Sequence, residues 1–391
     1  MPSAEKEFKE RSSFMTRTLL PNPNTQPGVD TTESMVITPV ISDPGAIRQF
    51  RKRGVLGLGE SYMDGLWEID RLDEFLARVF TSPSERMPLS SFARILLSSL
   101  LPRLFDRQAG LGAFKIGREH YDLGNDLFRV MLDQSMSYTS GYWAEAEDLD
   151  AAQEAKLELM CRKLDLRPGM RVLDIGCGWG NFAHHAASDH GVHVTGITVS
   201  SEQAEVASSR CLDLPVDIRI QDYRDLSEQF DRIVSIEMIE AVGRRNVPRF
   251  FKAVNHCLAD GGLFGLQVIS GDMLSRTSNR RMDQFVLWLL KYIFPDGYLP
   301  LPRELAELRG TQLQIEDWHR FSADYDRTLM SWAERLNNGW DELGDLYGDR
   351  FRRQWDFYLH GCAAAFRSGL IDVQQIIYSK HGRNTRYRSV R

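Results

Sequence analysis

The stretch that decides the fold is RVLDIGCGWGNFAHHAA, residues 171–187. It joins an apolar run to a helical pattern through three glycines, Gly176, Gly178 and Gly180. Glycines at such a junction let the backbone turn sharply and approach a ligand, while the helix start offers free N–H groups. The dinucleotide fingerprint G-x-G-x-x-G would need a further glycine where this chain has Asn181, so the spacing excludes an NAD site. The stretch predicts a strand, a tight loop and a helix that bind another nucleoside-like ligand.

Short β-rich runs separated by helical segments continue on the carboxyl-terminal side of this loop. The runs are MRVLDI (170–175), VHVTGI (192–197), VDIRIQD (216–222), FDRIVSI (230–236) and GGLFGLQVI (261–269). Strands that alternate with helices predict crossover units and a largely parallel sheet covered on both faces, which is a doubly wound α/β core. Ligands of such sheets lie across the carboxyl ends of the strands, so the residues at those ends are the candidate site.

Composition limits the classes of protein that fit. The 391 residues carry a formal net charge of -6, which argues against a nucleic-acid partner because such domains are usually basic. The five cysteines are scattered without a C-x-x-C pair, so the sequence predicts a reducing compartment with neither a disulfide framework nor a metal site. The most apolar stretch, FVLWLLKYIF (285–294), is about half of the roughly 20 residues that a spanning helix needs. We predict a cytoplasmic protein.

The chain divides into three predicted regions. Residues 1–40 mix charges with proline and asparagine and have no signal-peptide core, so they predict a flexible leader. Residues 41–110 show helical spacing of apolar residues and predict a small helical amino-terminal domain. Residues 111–391 are predicted to form the catalytic domain.

Several motifs carry a resemblance to a known family. The spacing D-x-G-x-G-x-G that begins at Asp174 resembles motif I of S-adenosylmethionine-dependent methyltransferases. The chain as a whole resembles the cyclopropane-fatty-acyl-phospholipid synthase family of bacterial two-domain type, through LGLGESYMDGLWEIDRLDEF (56–75), EHYDLGNDLFRVMLDQSMSYTSGYW (119–143), ITVSSEQ (197–203), MIEAVG (238–243), KYIFPDGYLP (291–300) and EDWHRFSADYDRTLMSW (316–332). The resemblance implies a seven-stranded class I methyltransferase (Rossmann-like) domain, with an amino-terminal domain for lipid binding or dimerisation.

The same resemblance implies a set of cofactor-binding residues. Those that would hold S-adenosylmethionine are Tyr138, Thr139, Asp174, Gly176, Gly178, Trp179, Thr198, Val199, Gln203, Asp222, Tyr223 and Ile236. The chain departs from the generic methyltransferase pattern at the end of the second strand, because Thr198 and Gln203 stand where an acidic ribose-binding residue is usual.

The family chemistry that the resemblance implies is methylene transfer to the cis double bond of an unsaturated phospholipid acyl chain. The alkene attacks the sulfonium methyl group, and loss of a proton from the methylated carbocation closes a cyclopropane ring. Glu240 would organise a bound bicarbonate that acts as the base, with the backbone of Ile269 and the hydroxyl of Tyr325 as further contacts. Such a site needs a base and a water-poor, cation-tolerant lining.

Four positions depart from the pattern of the phospholipid enzymes. Ser140, Ala241 and Gln267 stand where many members have Cys, His and His, and Glu237 stands where glycine is common. A glutamine amide can donate to an anion but cannot take up a proton as histidine can. Glu237 or Glu240 is therefore a candidate for sharing or orienting the base, alongside Ser140 and Gln267.

These departures keep other hypotheses open. The first is a same-fold enzyme that makes a methylated or exomethylene product or uses a non-phospholipid alkene, and the second is a cofactor-binding protein without catalysis. The run around Trp288 is either an acyl-lining or interfacial helix or a core helix. The predicted partner is the inner face of a phospholipid membrane, to which the protein attaches peripherally, and a homodimer is a further prediction.

Overall fold

The computed structural model describes residues 37–82, 125–271, 279–295, 297–381 and 386–391. Most of the predicted leader, residues 1–36, lies outside the described residues, as does the beginning of the 119–143 motif.

Nine strands and twelve α-helices are formed by the described residues. The strands are β1 Val40–Ile41, β2 Trp67–Glu68, β3 Arg171–Ile175, β4 His193–Thr198, β5 Val216–Ile220, β6 Phe230–Ile236, β7 Leu258–Ser270, β8 Leu313–Arg320 and β9 Asp372–Lys380. The helices are α1 Gly45–Arg53, α2 Val55–Met63, α3 Leu72–Thr81, α4 Asn125–Met131, α5 Leu149–Lys163, α6 Asn181–His190, α7 Ser201–Arg210, α8 Val247–Cys257, α9 Arg280–Tyr292, α10 Pro302–Ala306, α11 Ser322–Asn338 and α12 Asp349–Arg367.

The larger sheet has seven strands in the order β5-β4-β3-β6-β7-β9-β8. Strands β5, β4, β3, β6 and β7 pair in parallel, whereas β9 is antiparallel to both β7 and β8. Neighbouring residues of β3 belong to different apolar clusters, Val172 to one and Leu173 to the other, because successive side chains point to opposite faces of a sheet. The prediction of a doubly wound, seven-stranded class I fold is confirmed.

Local sequence fixes the ends of the helices that flank this sheet. The side chain of Asp148 accepts a hydrogen bond from the Ala151 N–H at the start of α5, and Ser200 does the same for Gln203 at the start of α7. Helix α6 begins after Gly180, whose φ of 83° favours glycine. These caps hold the helix starts at the carboxyl ends of β3 and β4.

The chain forms two compact units. One comprises Met1–Ser99, Met273–Pro295 and Asp341–Leu370, and the other comprises Leu100–Asp272, Asp296–Trp340 and Ile371–Arg391. The predicted boundaries, 41–110 and 111–391, assign α9 and α12 to the catalytic domain, whereas these helices cluster with the amino-terminal helices. The physical reason is that side chains far apart in the sequence pack together, so one unit can consist of separate segments of the chain.

Aromatic packing explains why α9 belongs to the helical unit. The rings of Phe285 and Trp288 are fully buried and stack with centroids 6.1 Å apart, and Trp288 meets Phe357 of α12 at 4.9 Å. Lys291 donates to Glu60 of α2 at 2.8 Å. This face of α9 is therefore a core face, which was one of the two alternatives. None of the helices in the described residues is both long enough and apolar enough to cross a membrane.

Candidate active site

The glycine loop lies at the carboxyl end of β3 and is tied to the neighbouring strand. The N–H groups of Gly176 and Cys177 both donate to the Ile197 carbonyl, at 2.9 and 3.0 Å. Gly176 has a φ of 81°, and a Cβ there would lie 2.4 Å from Cγ of Met238. Gly178 has a φ of 54°, and apart from its own atoms and those of its two chain neighbours no described heavy atom lies within 4 Å of where its Cβ would stand. The space at the Cβ position is therefore filled at Gly176 and open at Gly178.

A buried carboxylate precedes this loop. Asp174 is 2 % exposed, and its Oδ2 atom has no hydrogen-bond partner among the described residues. Burial raises the pKa of Asp174 to about 7, against the opposing effect of the Lys156 charge. A buried acceptor without a donor is costly unless a ligand supplies one. Asp174 and the open space above Gly178 therefore fit S-adenosylmethionine, which carries an ammonium group and hydroxyl donors.

Lys156 is a buried cation that the sequence analysis missed. It is 2 % exposed, and its Nζ donates to Oγ1 of Thr139 at 3.0 Å. Burial lowers its pKa to about 8, although the carboxylates of Asp133, Glu237 and Asp174 act in the opposite direction. The available signal was its place on α5 four residues after the buried Ala152 and four before the buried Met160.

The predicted cofactor residues after β4 and β5 are largely bonded to one another. Oγ1 of Thr198 donates to Oε1 of Gln203 at 2.9 Å, next to the half-buried Val199. Asp222 accepts from the backbone and the guanidinium of Arg224, at 2.9 and 2.8 Å. Burial acts to raise the pKa of Asp222, but these hydrogen bonds lower it below its ordinary value. A bound nucleoside would meet a carboxylate that is already ionised and oriented.

Aromatic rings surround the remaining predicted cofactor positions. Tyr138 meets Phe128 and Trp332, each at a centroid distance of 5.2 Å, and Phe128 also meets Trp179 at 5.5 Å. Tyr223 packs against Phe250, and the half-buried Ile236 packs against the apolar cluster on α5 and α6. Aromatic faces of this kind stabilise a developing positive charge and exclude water from it.

Glu237 is the centre of a hydrogen-bond network. It follows β6 directly with a φ of 48°, in the left-handed region that favours glycine. Its Oε1 atom accepts from the Ser140 N–H at 3.0 Å and from Nε2 of Gln267 at 2.7 Å, and its Oε2 atom accepts from the Tyr325 hydroxyl at 2.7 Å. Burial raises the pKa of Glu237, while these three donors counteract the shift by stabilising the ionised form.

Glu240 lies one turn further on and is bonded differently. Its Oε1 atom accepts from the Ile269 N–H at 2.6 Å, and its Oε2 atom is buried without a hydrogen-bond partner among the described residues. Burial and the nearby charge of Glu237 raise the pKa of Glu240 to about 8. Glu240 therefore holds a proton more tightly than an ordinary carboxyl group does, whereas the three donors around Glu237 favour its ionised form.

Gln267 is held in place by its partner on the neighbouring strand β9. Its Oε1 atom accepts from Nε2 of Gln375 on β9 at 3.0 Å, which leaves its Nε2 donors facing Glu237 and the carbonyl of Ser140. The Ser140 hydroxyl donates to the Gly141 carbonyl instead of to a carboxylate. Ala241 is exposed in the short 3-10 turn Ile239–Ala241. Gln375 was not predicted, since nothing in VQQIIYSK distinguishes it from a core-facing strand residue.

The predicted site residues thus fall into two neighbouring groups. Most of the cofactor group lies at the ends of β3, β4, β5 and β6, and the carboxylate group comprises Glu237 and Glu240 after β6, Gln267 and Ile269 near the end of β7, and Tyr325 of α11; Tyr138, Thr139 and Ser140 come from the segment before α5. Both groups lie at the carboxyl ends of parallel strands, where ligands of this fold bind.

A glycine substitution tests the cofactor reading. We expect Gly178→Ala to weaken binding of S-adenosylhomocysteine at least tenfold, because the new methyl group enters the open space above the loop. Gly169→Ala is the matched control, since Gly169 also has a positive φ, 83°, and open space around its Cβ position, but follows α5 at the opposite end of β3. Isothermal titration calorimetry measures both. Equal affinities for the two variants would contradict the placement of the ligand.

Fold and site together define a class I, S-adenosylmethionine-dependent methyltransferase. The family model described as "Mycolic acid cyclopropane synthetase" matches residues 112–376. The chain is 46% identical over 340 residues to the cyclopropane-fatty-acyl-phospholipid synthase of Escherichia coli (strain K12), covering 87% of each chain. It is 34% identical over 359 residues to the tuberculostearic acid methyltransferase of Mycobacterium tuberculosis, covering 88% of this chain and 83% of the relative.

A solved structure agrees with these sequence relatives. Mycolic acid cyclopropane synthase CmaA1, complexed with SAH and CTAB, superposes with a TM-score of 0.65 at 29% identity, over 68% of this chain and 98% of that one. The chain belongs to the mycolic acid cyclopropane synthetase family, as the resemblance predicted, and it is an S-adenosylmethionine-dependent methyltransferase.

Proposed function

We propose that the protein transfers a methylene group from S-adenosylmethionine to the cis double bond of unsaturated phospholipid acyl chains and forms a cyclopropane ring. The observation that carries the proposal is the pair of Glu237 and Glu240 at the end of β6, in which three donors hold the carboxylate of Glu237 and the pKa of Glu240 is raised. The printed activity of the relative from Escherichia coli, at 46% identity, supports the same reaction and the same class of substrate.

The reaction needs a base at one point only. S-adenosylmethionine supplies an electrophilic methyl group when bound. The alkene carbon forms a bond to that methyl carbon, the bond from sulfur to the methyl carbon breaks, and a positive charge remains on the other alkene carbon. A base then removes a proton from the transferred methyl group, and the electron pair of that C–H bond closes the ring. The residues of the chain must hold the base and exclude water meanwhile.

We propose that Glu237 is this base. The resemblance assigned the Tyr325 hydroxyl to a bicarbonate ion, but this hydroxyl donates to the Glu237 carboxylate, as do the Ser140 N–H and Nε2 of Gln267. The Ile269 N–H, which was assigned to the same ion, is taken by Glu240. The carboxylate of Glu237 therefore satisfies the donors that a separate anion would satisfy, and Glu240 keeps the proton that would otherwise neutralise it.

The aromatic walls complete the proposed chemistry. Tyr325 meets Trp332 edge to face with centroids 6.0 Å apart, and Trp332 meets Tyr138. The face of Tyr138 or Tyr325 would stabilise the cation on the acyl chain, and the fully buried Trp332 packs behind both rings. Migration of a hydride from the methylated carbon to the cationic carbon, followed by loss of a proton from the transferred methyl group, would give an exomethylene product. Reduction of that product by a separate hydride donor would give a methyl branch. The alternative function, formation of a methylated product, is supported by the relative named a tuberculostearic acid methyltransferase.

Product analysis tests the proposed function. Purified protein is incubated with S-adenosylmethionine and vesicles of cis-unsaturated phospholipids, and the released methyl esters are examined by gas chromatography and NMR. High-field cyclopropane protons are the expected result, with vesicles of trans-unsaturated lipid as the matched control. Signals of vinylidene protons would show that the product is an exomethylene chain and not a cyclopropane. If no S-adenosylhomocysteine forms with any lipid, the proposal is wrong.

We also propose that the protein meets this substrate as a peripheral protein at the inner face of the membrane. An acyl double bond lies inside a bilayer, so the enzyme must contact the lipid surface to reach it. Flotation with anionic and with zwitterionic vesicles tests this attachment, and recovery of all protein in the unbound fraction would contradict it.

A further inference from the structure

A second group of chemically reactive side chains lies on α5 and α6. Atoms of Cys161, His185 and His190 that can ligate a metal all lie within 4.8 Å of one another. Glu158 joins them from one turn before Cys161, with its Oε2 atom 3.3 Å from Nε2 of His185 and 2.9 Å from Nε2 of His190. None of these four residues belongs to the carboxylate or cofactor groups of the active site.

The contacts of Glu158 with the two histidines have the spacing of neighbouring ligands in a tetrahedral metal site, and Cys161 lies within 4.8 Å of both histidines. Zinc binds imidazole nitrogen and carboxylate oxygen at about 2.0–2.2 Å and thiolate sulfur at about 2.3 Å, which places neighbouring ligand atoms roughly 3.3–3.7 Å apart. The measured separations of 2.9 and 3.3 Å around Glu158 are close to that range.

A carboxylate also stands behind one of the ligands. Nδ1 of His185 lies 3.3 Å from Oδ2 of Asp189, on the ring edge opposite the cluster. Histidine ligands of metals commonly donate their second N–H to such a carboxylate, which fixes the ring orientation and directs the other nitrogen to the metal. A hydrogen-bonded cluster without a metal does not require this arrangement.

We propose that Cys161, His185, His190 and Glu158 bind one Zn²⁺ ion. One sulfur, two nitrogens and one oxygen form a ligand set that zinc accepts, and all four come from the protein, as in structural sites. The side chains of His185, His190 and Glu158 are 12%, 19% and 41% exposed, so the ion can enter from solvent.

The position of the site gives it a structural role. Helix α6 begins immediately after the glycine loop, and α5 carries Lys156 and Gln153, both of which donate to Thr139. An ion bound to both helices would connect α6, which begins at the glycine loop, to α5, whose Lys156 and Gln153 hold Thr139 beside Tyr138. We therefore expect zinc to stabilise the packing of α5 against α6 without taking part in the reaction.

Metal titration of the full chain tests the proposal. The protein is stripped with chelator under reducing conditions, and Zn²⁺ is titrated in competition with a chromophoric chelator. We expect one saturable equivalent, and an affinity at least about 100-fold lower in Cys161→Ser and His190→Gln, since loss even of an outer-shell partner costs 10–100-fold. The controls are His184→Gln on the same helix and Cys257→Ser, a buried cysteine of another cluster.

Cobalt supplies a test that needs no variant. Co²⁺ in the wild-type site should show a thiolate-to-metal charge-transfer band in the near ultraviolet and tetrahedral bands in the visible range. The proposal is overturned if no thiolate band appears, if wild-type protein binds no stoichiometric zinc, or if Cys161→Ser and His190→Gln bind it as tightly as the controls. Circular dichroism of each variant checks that it is folded.

Discussion

Glu237→Gln should lower the rate of lipid methylenation by about 10³-fold, within the range of 10²–10⁴ that a positioned general base contributes. Glutamine preserves the size of the side chain and can still accept from Tyr325, but it cannot take a proton from the transferred methyl group. Its NH₂ group would also face a donor, either Nε2 of Gln267 or the Tyr325 hydroxyl. Release of S-adenosylhomocysteine in the presence of unsaturated vesicles measures the rate.

Two comparisons make this result specific. The exposed Glu205 of α7 offers the same chemical change away from the site, and Glu205→Gln should keep the wild-type rate. Affinity for S-adenosylhomocysteine should be unchanged in Glu237→Gln, because its loss is one of proton transfer. Retention of more than a tenth of the wild-type rate would show that Glu237 is not the base.

Glycine at the same position separates the two possible sources of the base. Glu237→Gly removes the carboxylate and frees the donors at Ser140, Gln267 and Tyr325. We expect added bicarbonate or formate to restore part of its activity, while wild-type protein keeps its rate in buffer free of carbon dioxide. Dependence of the wild-type rate on bicarbonate would instead support the ion that the family resemblance implies.

Glu240→Gln should have opposite effects on stability and on activity. The pKa of Glu240 is about 8 in the folded protein, compared with an ordinary value of 4.5. Between these pH values the folded state holds a proton that the unfolded state has released, so the free energy of unfolding falls as pH rises from 4.5 to about 8. Glutamine cannot ionise, and its oxygen can still accept from the Ile269 N–H. The variant should therefore be more stable than wild type at pH 9, by on the order of 3 kcal/mol, and close to wild type at pH 5.

Urea unfolding of both proteins at the two pH values measures this difference. Titrating groups outside the pair, such as Asp174 and Lys156, contribute nearly equally to both proteins, whereas the coupling of Glu237 to Glu240 is part of the difference that is measured. Turnover of the variant should fall by roughly tenfold or more, because glutamine is neutral like protonated Glu240 but cannot exchange a proton with Glu237. A stability difference that does not change with pH would contradict the protonation assigned to Glu240.

The sequence predicted the parts of this molecule that local patterns determine. Glycines at 176, 178 and 180 marked the junction of β3 and α6, and the alternation of strands and helices predicted the doubly wound sheet. The family motifs then located both carboxylates at the end of β6. These features depend on residues that are neighbours along the chain, so one sequence is enough to find them.

Features that depend on distant residues could not be predicted in this way. The network around Glu237 reaches Ser140, Gln267 and Tyr325, which are separated from it by 97, 30 and 88 positions. Likewise, the apolar run of α9 fitted a core helix and an interfacial helix equally, and only the stacking of Trp288 on its neighbours decided between them for that face. The cluster on α5 and α6 shows no metal-binding spacing along the chain, because its ligands meet across two helices.

The backbone at Glu237 has a consequence for how such an enzyme can change during evolution. A φ of 48° costs a non-glycine residue on the order of 1 kcal/mol or more, whereas glycine adopts it freely. Glycine is the residue that the resemblance places here in the phospholipid enzymes, and a glycine codon becomes a glutamate codon by one nucleotide change. The main chain would not need to be rebuilt for that step, since it already has a geometry that suits glycine. A lineage could thus exchange a diffusible anion for a covalently attached carboxylate in a single mutation, and could return by the same route.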